Sequence, residues 1–213
     1  MNTALVPVKR LGEGKSRLSR VLDRDALDAL TLAMLGDVVG ALRGVAEIDR
    51  IVVVTPDETV AEAARAHGAE GLVRVDPGLN PSLDAALPLV SEPDGSLLVI
   101  LGDVAGAASE EIAALYAALG SAPAAAIAPA RDGGTAALLR RPPDAFPGRF
   151  GKDSAAAHRA AAKEAGVALV ECALPTLAID LDRREDLGAL LAGDGPAPRT
   201  RALLHSLGIG ADQ

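Results

Sequence analysis

The stretch RIVVVTPD, residues 50–57, decides how this sequence is read. Ile51 to Thr55 are all β-branched, the run is too short for a helix, and it is continuous rather than alternating, so it suits a strand buried on both faces. Pro56 and Asp57 end it in a loop. ETVAEAARAHG (58–68) follows with helical spacing and closes on Gly68. A buried strand feeding a helix is half of a parallel βαβ unit.

The same alternation extends in both directions. TALVPV (3–8) reads as a strand, and residues 24–43 carry Leu27, Leu30, Met34, Val38 and Leu42 at helical period. Downstream, GLVRVD (71–76) reads as a strand, GLNPSLDAALPLV (78–90) as a helix after a loop, and SLLVILGD (96–103) as the most strand-like run. SEEIAALYAALG (109–120) is a helix with an acidic first turn, AAAIAPA (124–130) a strand and FGKDSAAAHRAAAKEAG (150–166) a loop and helix. VALVECAL (167–174) and LAIDLD (177–182) read as late strands and REDLGALLAG (184–193) as a helix. GDGPAPRT (193–200) reads as a surface turn or hinge before a short helix at 201–207. The expectation is an α/β fold with a mostly parallel central sheet flanked by helices, forming a single domain over residues 1–213.

Composition narrows the function. With one Tyr, two Phe and no Trp, the core must be built from Ala, Val, Leu and Ile. A net charge of -8 argues against general binding to nucleic acid or an anionic membrane, though not against a local basic site for a phosphorylated metabolite. The lone Cys172 cannot form an internal disulfide, and neither a signal peptide nor a membrane-spanning apolar run is found. A soluble cytoplasmic protein is expected.

In open α/β sheets ligands bind beyond the carboxyl ends of the strands, so polar residues there carry most weight. VPVKRLGEGKSRLS (6–19) contains Gly14-Lys15-Ser16 but has Lys9 where an ATPase phosphate loop needs glycine. Lys9, Arg10, Lys15 and Arg17 nevertheless cluster around Gly12 and Gly14, a pattern suited to a triphosphate; the alternative is a solvated basic turn. Asp103 ends one strand. Asp180 and Asp182, two apart on another expected strand end, point to the same side. Three such carboxylates suit one or two Mg²⁺ ions in phosphoryl or nucleotidyl transfer, whereas a lone Asp in such a place more often caps a helix or turn. Gly151 and Ser154, at the start of the 150–166 helix, are placed to hold a phosphate, or Asp153 and Ser154 simply cap it. His158 reads as a packing or surface residue. Asp57 and Asn80 are candidates for ribose or guanine contacts.

Together, VPVKRLGEGKSRLS, LGD, DGGT (132–135), FGKDS (150–154) and AIDLD resemble the 2-phospholactate/phosphoenolpyruvate guanylyltransferases of coenzyme F-420 biosynthesis, over about residues 5–190. The resemblance implies a nucleotidyltransferase, glycosyltransferase-A-like fold. It implies GTP and a small phosphorylated acid as substrates, with the acid's phosphate at Thr135, Gly151 and Ser154. It implies magnesium at Asp103, Asp180 and Asp182, and the GTP phosphates at Lys9, Gly14, Lys15 and Arg17, with Asp103, Lys15 and Arg17 catalytic. Hand-over of product to the next enzyme of the pathway and a homodimer are compatible with it. A related nucleotidyltransferase with another donor or another phosphorylated acid such as 3-phosphoglycerate, and a non-catalytic nucleotide-binding module, are the competing readings. The sequence departs from the family after LGD, where Val104-Ala105-Gly106 stands in place of an apolar-Pro-apolar run, which predicts a looser or differently shaped loop there.

Overall fold

The computed structural model describes residues 1–15 and 17–210, so Ser16 lies outside the described residues. Seven strands, β1 (Asn2–Pro7), β2 (Arg50–Thr55), β3 (Glu70–Val73), β4 (Ser96–Ile100), β5 (Ala124–Pro129), β6 (Thr135–Arg141) and β7 (Ala168–Glu171), form one sheet in the order β3-β2-β1-β4-β6-β5-β7. β6 alone runs antiparallel to its neighbours; the other pairings are parallel.

Period-two alternation divides the core between the faces. Ala4, Val6, Val53, Leu98 and Ile100 pack on one face under α1 (Arg24–Arg43), α2 (Glu58–Ala66) and α4 (Ser109–Ala118). Leu5, Val52, Val54, Leu97 and Val99 pack on the other face under α3 (Leu79–Val90) and α5 (Ser154–Glu164). A third apolar cluster joins the start of α1 to Ala105, Leu181, α6 (Arg184–Ala192) and α7 (Pro198–Ser206). Among the described residues no helix is long and apolar enough to cross a membrane.

Four local expectations are corrected. β6 is not legible as a strand, because TAALLRR is built largely of helix formers; the turn that brings it back beside β5, with Ala130 N bonded to Gly134 O, imposes the strand. The segment 177–182 is not a strand. Residues 174–178 form a local turn, with Leu177 N and Ala178 N both donating to Leu174 O, and Asp182 N turns back to Asp180 O. β3 ends at Val73, so Val75 and Asp76 lie in a loop.

The tail from 193 is not a free hinge. Asp37, buried in α1, accepts the backbone N–H groups of Arg199 and Thr200 at 3.0 and 2.8 Å and so pins the N-terminus of α7. A Cβ at Gly195 would sit 2.6 Å from Gly106 O. That close approach presses the tail against the loop after Asp103. Val104, Ala105 and Gly106 are all buried, so the departure from the family pattern is a packed loop and not a looser one.

Candidate functional site

The chain lays β1, β2 and β3 outward in one direction and then returns to place β4 on the other side of β1. That reversal opens a crevice at the strands' carboxyl ends, the place where open α/β sheets bind ligands. A cleft of about 290 Å³ lies there, lined by the ends of β1, β2 and β4 and by the loops after β1 and β3. Its size is near the lower end of the roughly 300–1,000 Å³ usual for ligand pockets.

Lys9, Gly14, Lys15, Asp103 and Asp182 all line this cleft. Lys15 donates to Asp103 Oδ2 at 2.8 Å, with its side chain only 11% exposed. Its backbone is left-handed, with φ of 58°, a conformation that is costly for a residue with a side chain and that turns Lys15 toward the aspartate. Arg17, largely exposed, pairs with Asp182 Oδ2. Two cations of the basic loop, Lys15 and Arg17, are therefore paired with two of the aspartates, Asp103 and Asp182.

Asp103 Oδ1 is buried and makes no hydrogen bond to a described residue. The backbone of 178–181 is strapped beside it: Leu181 N donates to Asp103 O, and Arg131 N donates to Ala178 O, both at 3.1 Å. Asp180 is thereby held half-buried. Burial and then the neighbouring Asp103 raise its carboxyl above the usual range. A buried carboxylate oxygen unpartnered among the described residues, beside a second, half-buried carboxylate, suits a hard divalent cation, which needs only one or two protein carboxylates when substrate phosphates complete its shell. Among the described residues no three His, Cys, Asp or Glu side chains gather closely enough to hold a metal ion, and Asp182 is turned onto Arg17.

Thr135, Gly151 and Ser154 do not line this cleft. Ile100 pairs with Ala137 and Leu101 N bonds to Ala136 O, which sets the start of β6 alongside the approach to Asp103. Ser154 Oγ donates to Thr135 Oγ1 at 3.0 Å, and both side chains are buried. Gly151 has φ of 135° and forms the turn into α5. Two of the first N–H groups of α5 are used internally: Ser154 N bonds to Gly151 O and Ala155 N to Gly133 O, both at 3.2 Å.

His158 belongs to this cluster, which its helical spacing from Ser154 did not reveal. It is fully buried, its Nδ1 is 2.9 Å from Thr135 Oγ1, and its Nε2 accepts the Arg149 N–H at 2.8 Å. Since Nε2 is an acceptor, the ring proton is assigned to Nδ1, and His158 donates to Thr135. Burial, followed by the charges of Arg140 and Arg149, pushes its pKa down to about 4. The unfolded chain therefore takes up a proton near pH 6.5 that the fold resists until about pH 4. The stability that neutral His158 contributes is complete above about pH 6.5 and is lost as pH falls toward 4. In His158→Gln, unfolding free energy is expected to fall less steeply than in wild type between pH 6.5 and 4.5, as read by urea denaturation. Parallel curves would contradict the buried neutral imidazole.

Asp57 and Asn80 are occupied by structural work. Asp57 caps α2 through Thr59 N at 2.9 Å and holds Leu11 N at 3.0 Å. Asn80 exchanges two hydrogen bonds with the backbone of Phe150, at 2.9 and 2.8 Å, and so fixes the turn ahead of Gly151. Neither lines the cleft.

Residues 2–213 match the family described as guanylyl transferases like CofC. A phosphoenolpyruvate guanylyltransferase of Rubrobacter xylanophilus is 44% identical over 93% of this chain and 97% of its own length. Among solved structures, one from Desulfovibrio desulfuricans G20, provisionally named a nucleotide-diphospho-sugar transferase, superposes with a TM-score of 0.73 at 20% identity, covering 97% of this chain and 95% of that one. The CMP:2-keto-3-deoxy-manno-octonic acid synthetase complexed with CTP superposes with a TM-score of 0.61 at 14% identity, covering 97% and 99%. The fold is that of the nucleotidyltransferases.

Proposed function

The chain belongs to the CofC-like guanylyl transferase family, and from that premise we propose that it joins the GMP moiety of GTP to the phosphate of phosphoenolpyruvate, releasing pyrophosphate, in the cytoplasmic assembly of coenzyme F-420. The observation that carries this reading is the meeting of Lys15 and Asp103 in the cleft at the point where the sheet order reverses, with one Asp103 oxygen unpartnered among the described residues.

A phosphate oxygen of the acid attacks the α-phosphorus of GTP. A new P–O bond forms, the bond to the β-phosphate breaks, and pyrophosphate carries away the electron pair. The attacking phosphate is already ionised at neutral pH, so no strong general base is required, and His158 is left to orient Thr135. The difficulty is to hold two anions together. Lys15 and Arg17 exchange their aspartate partners for the GTP phosphates. Thr135, Gly151 and Ser154 hold the phosphate of the acid. Asp103 and Asp180 would hold Mg²⁺, which when bound neutralises charge on the phosphate oxygens.

Phosphorus NMR of a mixture of protein, GTP, Mg²⁺ and phosphoenolpyruvate tests the reaction. A new diphosphate signal that needs both substrates supports it, and pyrophosphate without a joined product would overturn it. Ser154→Ala tests the placement of the acid. It is expected to raise the KM for phosphoenolpyruvate about tenfold, the scale of one hydrogen bond to a charged group, with kcat and the KM for GTP little changed. An effect confined to GTP would mean that the two substrate sites are exchanged.

A further inference from the structure

The proposed reaction leaves open what distinguishes guanine from other bases. The two polar side chains expected from sequence to contact it, Asp57 and Asn80, have their oxygens and amide committed to backbone. Asp76 is different. It lines the cleft where the chain leaves β3. Its Oδ1 accepts Gly78 N at 2.8 Å and Ser82 Oγ at 3.1 Å, which fixes the carboxylate against the start of α3. Its Oδ2 makes no hydrogen bond to a described residue.

The surroundings of this fixed carboxylate suit a flat aromatic ligand. Val75, its chain neighbour, is 86% exposed although it is a large apolar residue on the cleft wall. Leu79, Val54, Met34 and Leu101 line the same cleft. Apolar walls with one aimed polar group are the usual make-up of a site for a planar heterocycle. Ribose hydroxyls gain nothing from such walls.

Resting on the guanylyl-transfer reading, we propose that Asp76 selects the base, its free Oδ2 accepting the N1–H and the exocyclic amino group of guanine. An ionised carboxylate only accepts hydrogen bonds. Guanine alone among the common bases offers two adjacent N–H donors on one edge. Adenine and cytosine set a ring-nitrogen acceptor beside their amino group, and uracil flanks its one N–H with carbonyls; each would turn an acceptor toward the carboxylate. A site built around a fixed polar partner rejects ligands that leave that partner unmatched far more strongly than an apolar pocket rejects a change of size. Arg74, on the same rim, offers donors for the guanine O6 acceptor.

Asp76→Asn tests the assignment against GTP, xanthosine triphosphate and 2′-deoxyGTP, by pyrophosphate release with phosphoenolpyruvate and by equilibrium binding without it. Asparagine keeps a carbonyl oxygen for Gly78 N and Ser82 Oγ, so the loop is expected to hold its shape. Its amide then presents a donor to the 2-carbonyl of xanthine. Wild type is expected to prefer GTP. The variant should lose about 100-fold or more in kcat/KM and affinity for GTP, and bind and use xanthosine triphosphate better than GTP. Unchanged GTP binding by the variant would overturn the proposal. So would equal loss for GTP and xanthosine triphosphate, with 2′-deoxyGTP already poor in wild type, because that result assigns Asp76 to the ribose. Wild type that binds GTP selectively through Asp76 but releases no pyrophosphate would overturn the reaction and leave the base assignment standing.

Discussion

Asp103→Asn is expected to lower guanylyl transfer by about 1,000-fold or more while leaving the protein folded. The substitution is isosteric and removes only charge. Asp103 stands where β4 enters the cleft, with one oxygen on Lys15 and the other buried without a partner among the described residues. Its position is held by backbone, through Leu181 N and the packed 104–106 loop, and not by its carboxylate. A neutral amide keeps that frame but is a much poorer partner for a divalent cation. Losing charge stabilisation at a transferring phosphoryl group costs on the order of 10²–10³ per contact, and more where an ion is lost with it. Circular dichroism and the melting temperature should be close to wild type. Turnover within tenfold of wild type would remove Asp103 from the reaction.

Lys15→Gly separates catalysis from stability in the other direction. Lys15 occupies the left-handed region, where a side chain costs about 1–2 kcal/mol and glycine costs nothing. The ion pair with Asp103 is lost, but relief of the backbone offsets that loss. The variant should melt at or above the wild-type temperature while its kcat falls about 100-fold or more, since one positioned cation on the phosphates is gone. A protein that loses stability and activity together would show that Lys15 is only a structural partner of Asp103. Loss of activity with stability kept would mark the left-handed conformation as strain retained for function, the usual meaning of such a residue at a ligand cleft.

The sequence-readable part of the fold was the part governed by local pattern. The continuous β-branched run of β2 and the 3.6-period spacing of α1 correspond closely to the elements observed. β6 was hidden because Ala, Leu and Arg carry little strand preference, and its place between β4 and β5 depends on partners far along the chain. The alternation in LAIDLD looked like a strand, yet the segment is not among the seven paired strands and is held as a loop. Ile179 and Leu181 pack among α1, α6 and α7 while Leu177 joins the core that α1, α2 and α4 cover, and N–H groups of the segment turn to Leu174, Asp103 and Asp180.

For the candidate site, rules of composition and strand ends were enough to nominate Lys15 and Asp103, which the fold brings to 2.8 Å across 88 residues of sequence. They could not separate a free carboxylate from an occupied one. Asp57, Asn80 and Asp76 all sit near strand ends or helix starts, and only the hydrogen bonds around them show that both oxygens of Asp57 and the amide of Asn80 are committed, whereas Asp76 commits Oδ1 and its Oδ2 bonds to no described residue. His158 was invisible for a related reason. Spacing from Ser154 gives its helix face, but its pairing with Thr135 depends on the arrival of β6.

The measurement closest to the central claim is pyrophosphate release with Mg²⁺, crossing GTP, ATP and CTP against phosphoenolpyruvate, 2-phospholactate and 3-phosphoglycerate, with the next enzyme of the coenzyme pathway present to draw off product. The account predicts release that requires GTP and phosphoenolpyruvate together and falls to background when either is withheld. Silence across the whole set, with GTP still bound in the cleft, would contradict it and leave a nucleotide-binding protein without transferase activity.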